Sequence, residues 1–205
     1  MNRGIVVVVS GFSGAGKGTL MKKMITEYDE YALSVSMTTR QPREGEVDGR
    51  EYFFTTHENF ERLIGENMFI EHARYCDNYY GTPRMFVDEK LAEGRNVLLE
   101  IEVQGALQVR DMYPDAALLF VTPPSVEELE NRLRSRGTET EEKIQQRLAR
   151  AKEEAKFIDR YDYLLINDDL DRCKEEMHRI IRAAHASPKY NAELVRSLTT
   201  DLERY

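Results

Sequence analysis

Residues 11–19 read Gly11-Phe12-Ser13-Gly14-Ala15-Gly16-Lys17-Gly18-Thr19. This run has the form G-x-x-x-x-G-K. Its glycines let backbone N–H groups converge on an anion, and a lysine so placed reaches the β- and γ-phosphates of a nucleotide. Upstream, residues 4–10 (GIVVVVS) are aliphatic on both faces and β-branched, as in a fully buried strand. Downstream, residues 17–28 put Leu20, Met21, Met24, Ile25 and Tyr28 on one helical face. The helix N-terminus adds a favourable dipole for a phosphate. A glycine-rich turn with an incidental lysine is the alternative. The strand before and the helix after favour phosphate.

The strict motif carries Ser or Thr directly after the lysine, where its hydroxyl meets Mg²⁺. Here that place is Gly18, and the hydroxyl comes one residue later at Thr19. An accompanying Mg²⁺ is therefore expected to rest mainly on nucleotide oxygens and water, which this reluctantly dehydrated ion tolerates.

Short apolar runs recur at residues 96–101, 116–121 and 163–166, with helical patterns between them. Pro83 and Gly94 bracket one helix. Ser125-Val126-Glu127-Glu128 is a capping box opening another, with Val126, Leu129 and Leu133 as its expected buried stripe. Ile144, Leu148, Ala151, Ala155 and Ile158 mark a long third helix, and Cys173, Met177, Ile180, Ile181 and Ala184 a fourth. Strands alternating with helices predict an α/β fold, a parallel sheet with helices on both faces.

The 205 residues are 41% hydrophobic and 32% charged, enough for a core without staples. Twenty-nine Lys+Arg against 37 Asp+Glu give a net charge of -8, which argues against nucleic acid or anionic membrane as partner. The longest aliphatic run, residues 5–9, is too short to span a bilayer or serve as a signal core. Cys76 and Cys173 are far apart and read as free thiols of a reducing, cytoplasmic setting. The four histidines share no zinc-ligand pattern with them.

Two segments interrupt the alternation. Residues 37–83 read as a small mixed lobe, with strand-like pieces at 51–55 and 68–75. Within it Arg40 and Arg43 flank Gln41-Pro42, and two guanidinium forks restrained in this way suit a doubly charged phosphate. Tyr52, Tyr79 and Tyr80 add hydroxyls. Pairing of the two arginines with Glu44 and Glu46 is the competing reading. Residues 132–150 carry Arg132, Arg134, Arg136, Lys143, Arg147 and Arg150 around Gly137, as in a helical hairpin with a basic tip.

The run 34–54, with Phe69-Ile70-Glu71, Asn78-Tyr79-Tyr80-Gly81-Thr82, Gln104-Gly105 and 136–142, resembles the guanylate kinase family over about residues 4–182. The resemblance implies a P-loop kinase core (1–36, 84–125 and 151–186), a GMP-binding lobe (37–83) and a lid (126–150); residues 187–205 read as a helical tail beyond it. It implies the reaction ATP + GMP ⇌ ADP + GDP, with dGMP as a further acceptor. Arg40, Arg43, Tyr52 and Tyr80 would bind the GMP phosphate, and Ser36, Glu71, Thr82 and Glu102 would surround the guanine or its ribose. Gly11, Ser13, Gly14, Ala15, Gly16, Lys17, Gly18 and Thr19, with Arg132 and Asn167, would hold ATP. Lys17, Arg40, Arg43, Arg136 and Arg147 would neutralise the transferring phosphoryl group. Arg134 and Arg150 read instead as solvated charges facing Glu139, Glu141 and Glu142.

The chemistry is consistent with those roles. Guanine offers N1–H and an exocyclic amine on one edge, and one carboxylate accepts both; adenine presents a lone pair at N1. The attacking phosphate oxygen is largely ionised at neutral pH, its second pKa being about 6, so no general base is expected. Glu100 and Glu102 end the strand pattern of residues 97–102 on a common face, where strand C-termini meet a ligand crevice. Glu100 suits an outer-shell role to Mg²⁺ alongside Thr19. The family commonly has Asp at both places.

Three rival readings compete: a non-catalytic scaffold of the same fold, a kinase for AMP or UMP, and an ATPase or GTPase using water. The intact phosphate loop and both arginines oppose the first, the Arg40–Arg43 segment with Glu71 the second, and the lack of a water-positioning residue the third. Residues 192–202 read as a terminal helix or a surface for self-assembly, and both remain open.

Overall fold

The computed structural model describes residues 3–75, 77–135 and 140–205. Five parallel strands form the central sheet: β1 (Val6–Gly11), β2 (Tyr31–Leu33), β7 (Asn96–Glu100), β8 (Ala117–Thr122) and β9 (Tyr163–Ile166), in the order β2-β7-β1-β8-β9. β1 lies at the centre and is buried on both faces, which is why its sequence shows no polar alternation.

Period-two alternation divides β1 between two cores. Val7 and Val9 meet Leu20, Met21 and Met24 of α1 (Lys17–Glu27) and Cys173, Met177 and Ile181 of α7 (Leu170–Ala184). Val6 and Val8 meet Val87 and Leu91 of α3 (Arg84–Ala92) and Ala106 and Val109 of α4 (Val103–Met112). Ile25 stays 39% exposed, at the margin of the α1 stripe. Cys173 is buried and free, and burial pushes its thiol up to about 11. Cys76 lies outside the described residues.

Between β2 and α3 the chain builds a second sheet. It contains β3 (Met37–Thr38), β4 (Phe53–Phe54), β5 (Phe69–Tyr75) and β6 (Asn78–Pro83), in the order β4-β3-β6-β5. Only the β3–β4 pair is parallel. α2 (His57–Gly65) is capped by Thr56, whose hydroxyl accepts the Asn59 N–H at 3.2 Å. It buries Phe60 by stacking on Phe69 at 4.3 Å.

After β8 come α5 (Val126–Ser135) and α6 (Glu141–Ala155). Ser125 caps α5 by accepting the Glu128 N–H at 3.1 Å. The hairpin has its own small core of Leu129, Leu133, Ile144 and Ala151, against which Phe12 and Leu148 pack. Three expected stripe positions do not join it. Val126 is 74% exposed, because the first turn overhangs the edge strand, and Ala155 is exposed at the end of α6. Ile158 lies beyond α6 in a short 3-10 turn. The chain ends with α8 (Ala192–Leu202), which buries no residue and leaves Leu194, Val195, Leu198 and Leu202 exposed.

Because the five strands run parallel, their C-terminal ends open on one crevice. The glycine loop follows β1, Glu100 ends β7, and Asn167 follows β9.

Candidate active site

The glycine loop turns back on itself through a 3.0 Å bond from the Ala15 N–H to the Phe12 carbonyl. Gly16 has φ 90°, and a β-carbon there would approach Asn167 Nδ2 to 2.5 Å. That close approach exists because Asn167, itself buried, donates Nδ2 to the Ala15 carbonyl at 2.8 Å. The last strand therefore braces the loop from the side.

Lys17 Nζ donates to the carbonyls of Gly11 at 2.7 Å and Phe12 at 3.1 Å, so the ammonium is held over the loop. Burial lowers its pKa; the carboxylates of Glu100, Glu102 and Glu154 oppose that effect and Arg150 adds to it. Glu100 sits beside the first turn of α1, its Oε2 3.8 Å from where a Gly18 β-carbon would stand. Burial raises its carboxyl pKa and Lys17 draws it back down. Thr19 is exposed on the same turn.

The α5–α6 hairpin lies against this loop. Phe12 meets its core and packs edge-on to Phe120 at 5.1 Å. Arg147 Nη1 donates to the Ser13 hydroxyl. Arg132 is held on its own helix by Glu128, Nε to Oε1 2.7 Å. Arg136 lies outside the described residues. Arg134 pairs with Glu130 and Glu141, as expected of a solvated charge.

Arg150 is as exposed as Arg134 but takes other partners than the expected glutamates. Its Nη2 is 2.9 Å from Glu102 Oε2 and its Nε donates to Glu154 Oε1 at 3.0 Å. Residues 147, 150 and 154 share one face of α6, so the face that takes Arg147 to Ser13 also takes Arg150 to Glu102. The i, i+3, i+7 spacing of residues 147, 150 and 154 is the sequence signal for this face.

In the second sheet, Arg40 Nη2 contacts both oxygens of Glu46, at 2.9 and 3.0 Å. Its guanidinium lies 5.3 Å over the Tyr52 ring, and Tyr52 meets Tyr80 edge-on at 6.0 Å. The Glu46 hydrogen bond holds Arg40 above its ordinary pKa, with a smaller contribution from Tyr80. Arg43 donates its backbone N–H to Glu46 at 2.8 Å, and its exposed side chain adds a favourable charge there. Tyr79 is not part of this group: its hydroxyl donates to Glu61 at 3.1 Å and its ring stacks on Phe60. Successive strand residues face opposite ways, so Tyr79 and Tyr80 cannot both enter one site.

Glu71 is 6% exposed and accepts the fully buried Thr82 hydroxyl at 2.7 Å. Burial raises its carboxyl pKa, opposed by hydrogen bonds from the Thr82 side chain and backbone. A β-carbon on Gly105 would come within 2.5 Å of Glu71 Oε2, so α4 approaches this carboxylate as closely as it does because residue 105 lacks one. Ser36 is half-buried beside β3, its carbonyl accepting the Phe53 N–H at 2.9 Å. Burial raises the Tyr52 pKa, and the charges acting on it include Arg40 and Glu100. Glu100 thus acts on both Lys17 and Tyr52, and the loop and the second sheet face one cleft.

The family model for guanylate kinase matches residues 3–184. The chain belongs to the guanylate kinase family. A guanylate kinase of Caldanaerobacter subterraneus subsp. tengcongensis is 48% identical over 192 residues, covering 94% of this chain and 93% of the relative. One from Streptococcus thermophilus is 50% identical over 184 residues, 89% of this chain and 88% of the relative. The crystal structure of guanylate kinase from Anaplasma phagocytophilum superposes with a TM-score of 0.73 at 31% identity, covering 92% of this chain and 90% of that one. Membership of the guanylate kinase family makes the chain a phosphotransferase of the nucleoside monophosphate kinase class. Among the described residues no helix is long and apolar enough to cross a membrane.

Proposed function

We propose that this chain transfers the γ-phosphoryl group of ATP to GMP, giving ADP and GDP, with dGMP as a second acceptor. The observation that carries the acceptor choice is Glu71, a buried carboxylate with one Thr82 donor on Oε1. Two parallel N–H donors on a guanine edge match its remaining acceptor capacity, whereas adenine would set a lone pair against it. Ser36 and Glu102 complete the nucleoside side.

Arg40, Tyr52 and Tyr80 form the acceptor-phosphate group, with Arg43 closing on it from the lobe surface. The phosphate dianion replaces Glu46 as partner of Arg40, exchanging one bidentate oxyanion for another. On the donor side, residues 11–19 and Lys17 cradle the triphosphate. Arg132 and Arg147 approach it from the hairpin, Arg136, outside the described residues, is read as a further cation for these phosphates, and Asn167 stands beside the adenosine. Phosphoryl transfer needs alignment and charge neutralisation rather than a general base, and these cations supply both.

Mg²⁺ accompanies the ATP. Among the described residues no group of three or more His, Cys, Asp or Glu side chains could hold a metal unaided. Gly18 offers no hydroxyl, and the Glu100 carboxylate stands beside it. That set fits a hydrated ion carried by the nucleotide, with Glu100 and Thr19 in its outer shell. Mg²⁺ supplies charge neutralisation at the phosphates. We place the activity in the cytoplasm, in purine nucleotide supply, without nucleic-acid or membrane partners. Leu194, Leu198 and Leu202 on α8 are where a second copy would pack, should the chain self-associate.

A coupled assay of ADP formation with ATP and GMP, dGMP, AMP or UMP in parallel tests the reading. Turnover with GMP and dGMP alone is expected. Equal turnover with AMP would overturn the role of Glu71, and none with any acceptor would overturn the catalytic reading.

A further inference from the structure

α6 presents Arg147, Arg150 and Glu154 on one face, at i, i+3 and i+7. Arg147 reaches Ser13 in the phosphate loop. One turn further on, Arg150 Nη2 lies 2.9 Å from Glu102 Oε2. Glu102 stands immediately before α4 and makes no capping bond there. Its side chain is 64% exposed, so little besides Arg150 restrains it. Glu154, whose side chain is 12% exposed, anchors Arg150 from its own helix through a 3.0 Å bond to Nε. One helix therefore touches the ATP side through Arg147 and the acceptor side through Arg150.

We propose that Arg150 is a positioning residue that holds the Glu102 carboxylate in one orientation for the acceptor nucleoside and ties that side of the cleft to the seating of α6 on the phosphate loop. The inference rests on the assignment of Glu102 to the acceptor side made above. A glutamate left to itself loses rotamer freedom when a ligand orders it. Arg150 imposes that order beforehand. A half-exposed ion pair adds little to folding, so its effect belongs in substrate binding. Arg150 also offsets the repulsion between Glu102 and Glu154, both of which it contacts.

The test compares Arg150→Ala, Arg150→Lys, Glu102→Ala and the Arg150→Ala/Glu102→Ala double variant, each by steady-state kinetics and thermal unfolding. Arg150→Ala should raise the KM for GMP about threefold to tenfold, with kcat and the KM for ATP within about twofold of the parent. Arg150→Lys should recover much of the loss, and the double variant should be no worse than Glu102→Ala. A raised KM in Glu102→Ala with none in Arg150→Ala overturns the inference alone. So do additive effects, and so does a lowered Tm in Arg150→Ala without a change in KM. An unchanged KM in both single variants removes Glu102 from the acceptor site and overturns the assignment beneath it.

Discussion

The Thr82 hydroxyl donates to Glu71 Oε1 at 2.7 Å, and both side chains are buried between the second sheet and α4. The bond fixes the carboxylate plane before any ligand arrives. Glu71→Gln keeps the shape but puts an amide donor where an acceptor is needed. We expect kcat/KM for GMP to fall about 10³-fold while ATP binding, measured by calorimetry, stays near the parent value. Near-normal GMP turnover would remove Glu71 from base recognition.

Gly105→Ala tests the same carboxylate from the opposite side. The added β-carbon would stand 2.5 Å from Glu71 Oε2, and the carboxylate must move to admit it. A displacement of this size at a recognition group should cost about 10²-fold in kcat/KM for GMP. Fluorescence titration with an ATP analogue should show no matching loss.

Burial raises the Glu71 pKa above its ordinary 4.5, and the Thr82 hydroxyl opposes the rise. On the acid side, kcat/KM for GMP should therefore fall as Glu71 gains a proton. The GMP phosphate titrates near about 6, so the diagnostic comparison is Thr82→Val, in which loss of the donor should move the acid limb to higher pH. Stability follows the linkage sign. The folded pKa exceeds the unfolded one, so this group's contribution is complete below the unfolded value and is lost as pH rises through the folded value. Urea midpoints measured against pH should show that slope in the parent and lack it in Glu71→Gln.

Asn167→Ala removes the amide that braces Ala15. Loss of one buried hydrogen bond should raise the KM for ATP about fivefold and leave the KM for GMP unchanged. A change confined to GMP would contradict the donor-side placement of this loop.

Arg40→Lys retains the charge but loses the two-oxygen grip seen on Glu46 and the flat face over Tyr52. We expect the KM for GMP to rise about tenfold or more with little change for ATP. A lysine variant with parental KM would mean that net charge alone holds the acceptor phosphate.

Much of this was legible in local pattern. The 4–10 run and its glycine loop specified a central strand, a phosphate turn and a helix, because each depends on near neighbours: β-branching, positive φ at glycine, a helix N-terminus. The 3.6-residue stripes found α1 and α7, since both pack a single face on the sheet. Edges were harder. Val126 fits the α5 stripe by period, yet it lies at the rim, where no opposing layer covers it. Tyr79 and Tyr80 look alike in sequence and are separated only by strand alternation.

The chain's primary structure alone determined the phosphate loop, the parallel α/β order, the Arg40–Arg43 segment and the likeness to guanylate kinases. Each is built from short runs whose own chemistry and spacing suffice, however far apart the runs lie. Which charges meet across the cleft was settled by folding. Arg40 took Glu46 from the loop beside it, but Arg150 reached Glu102 from a different helix and Asn167 reached Ala15 across 152 positions. Composition counts such groups without orienting them. Their partners depend on which face of a helix turns inward and where strand ends converge, and both follow from burying two apolar layers on one sheet.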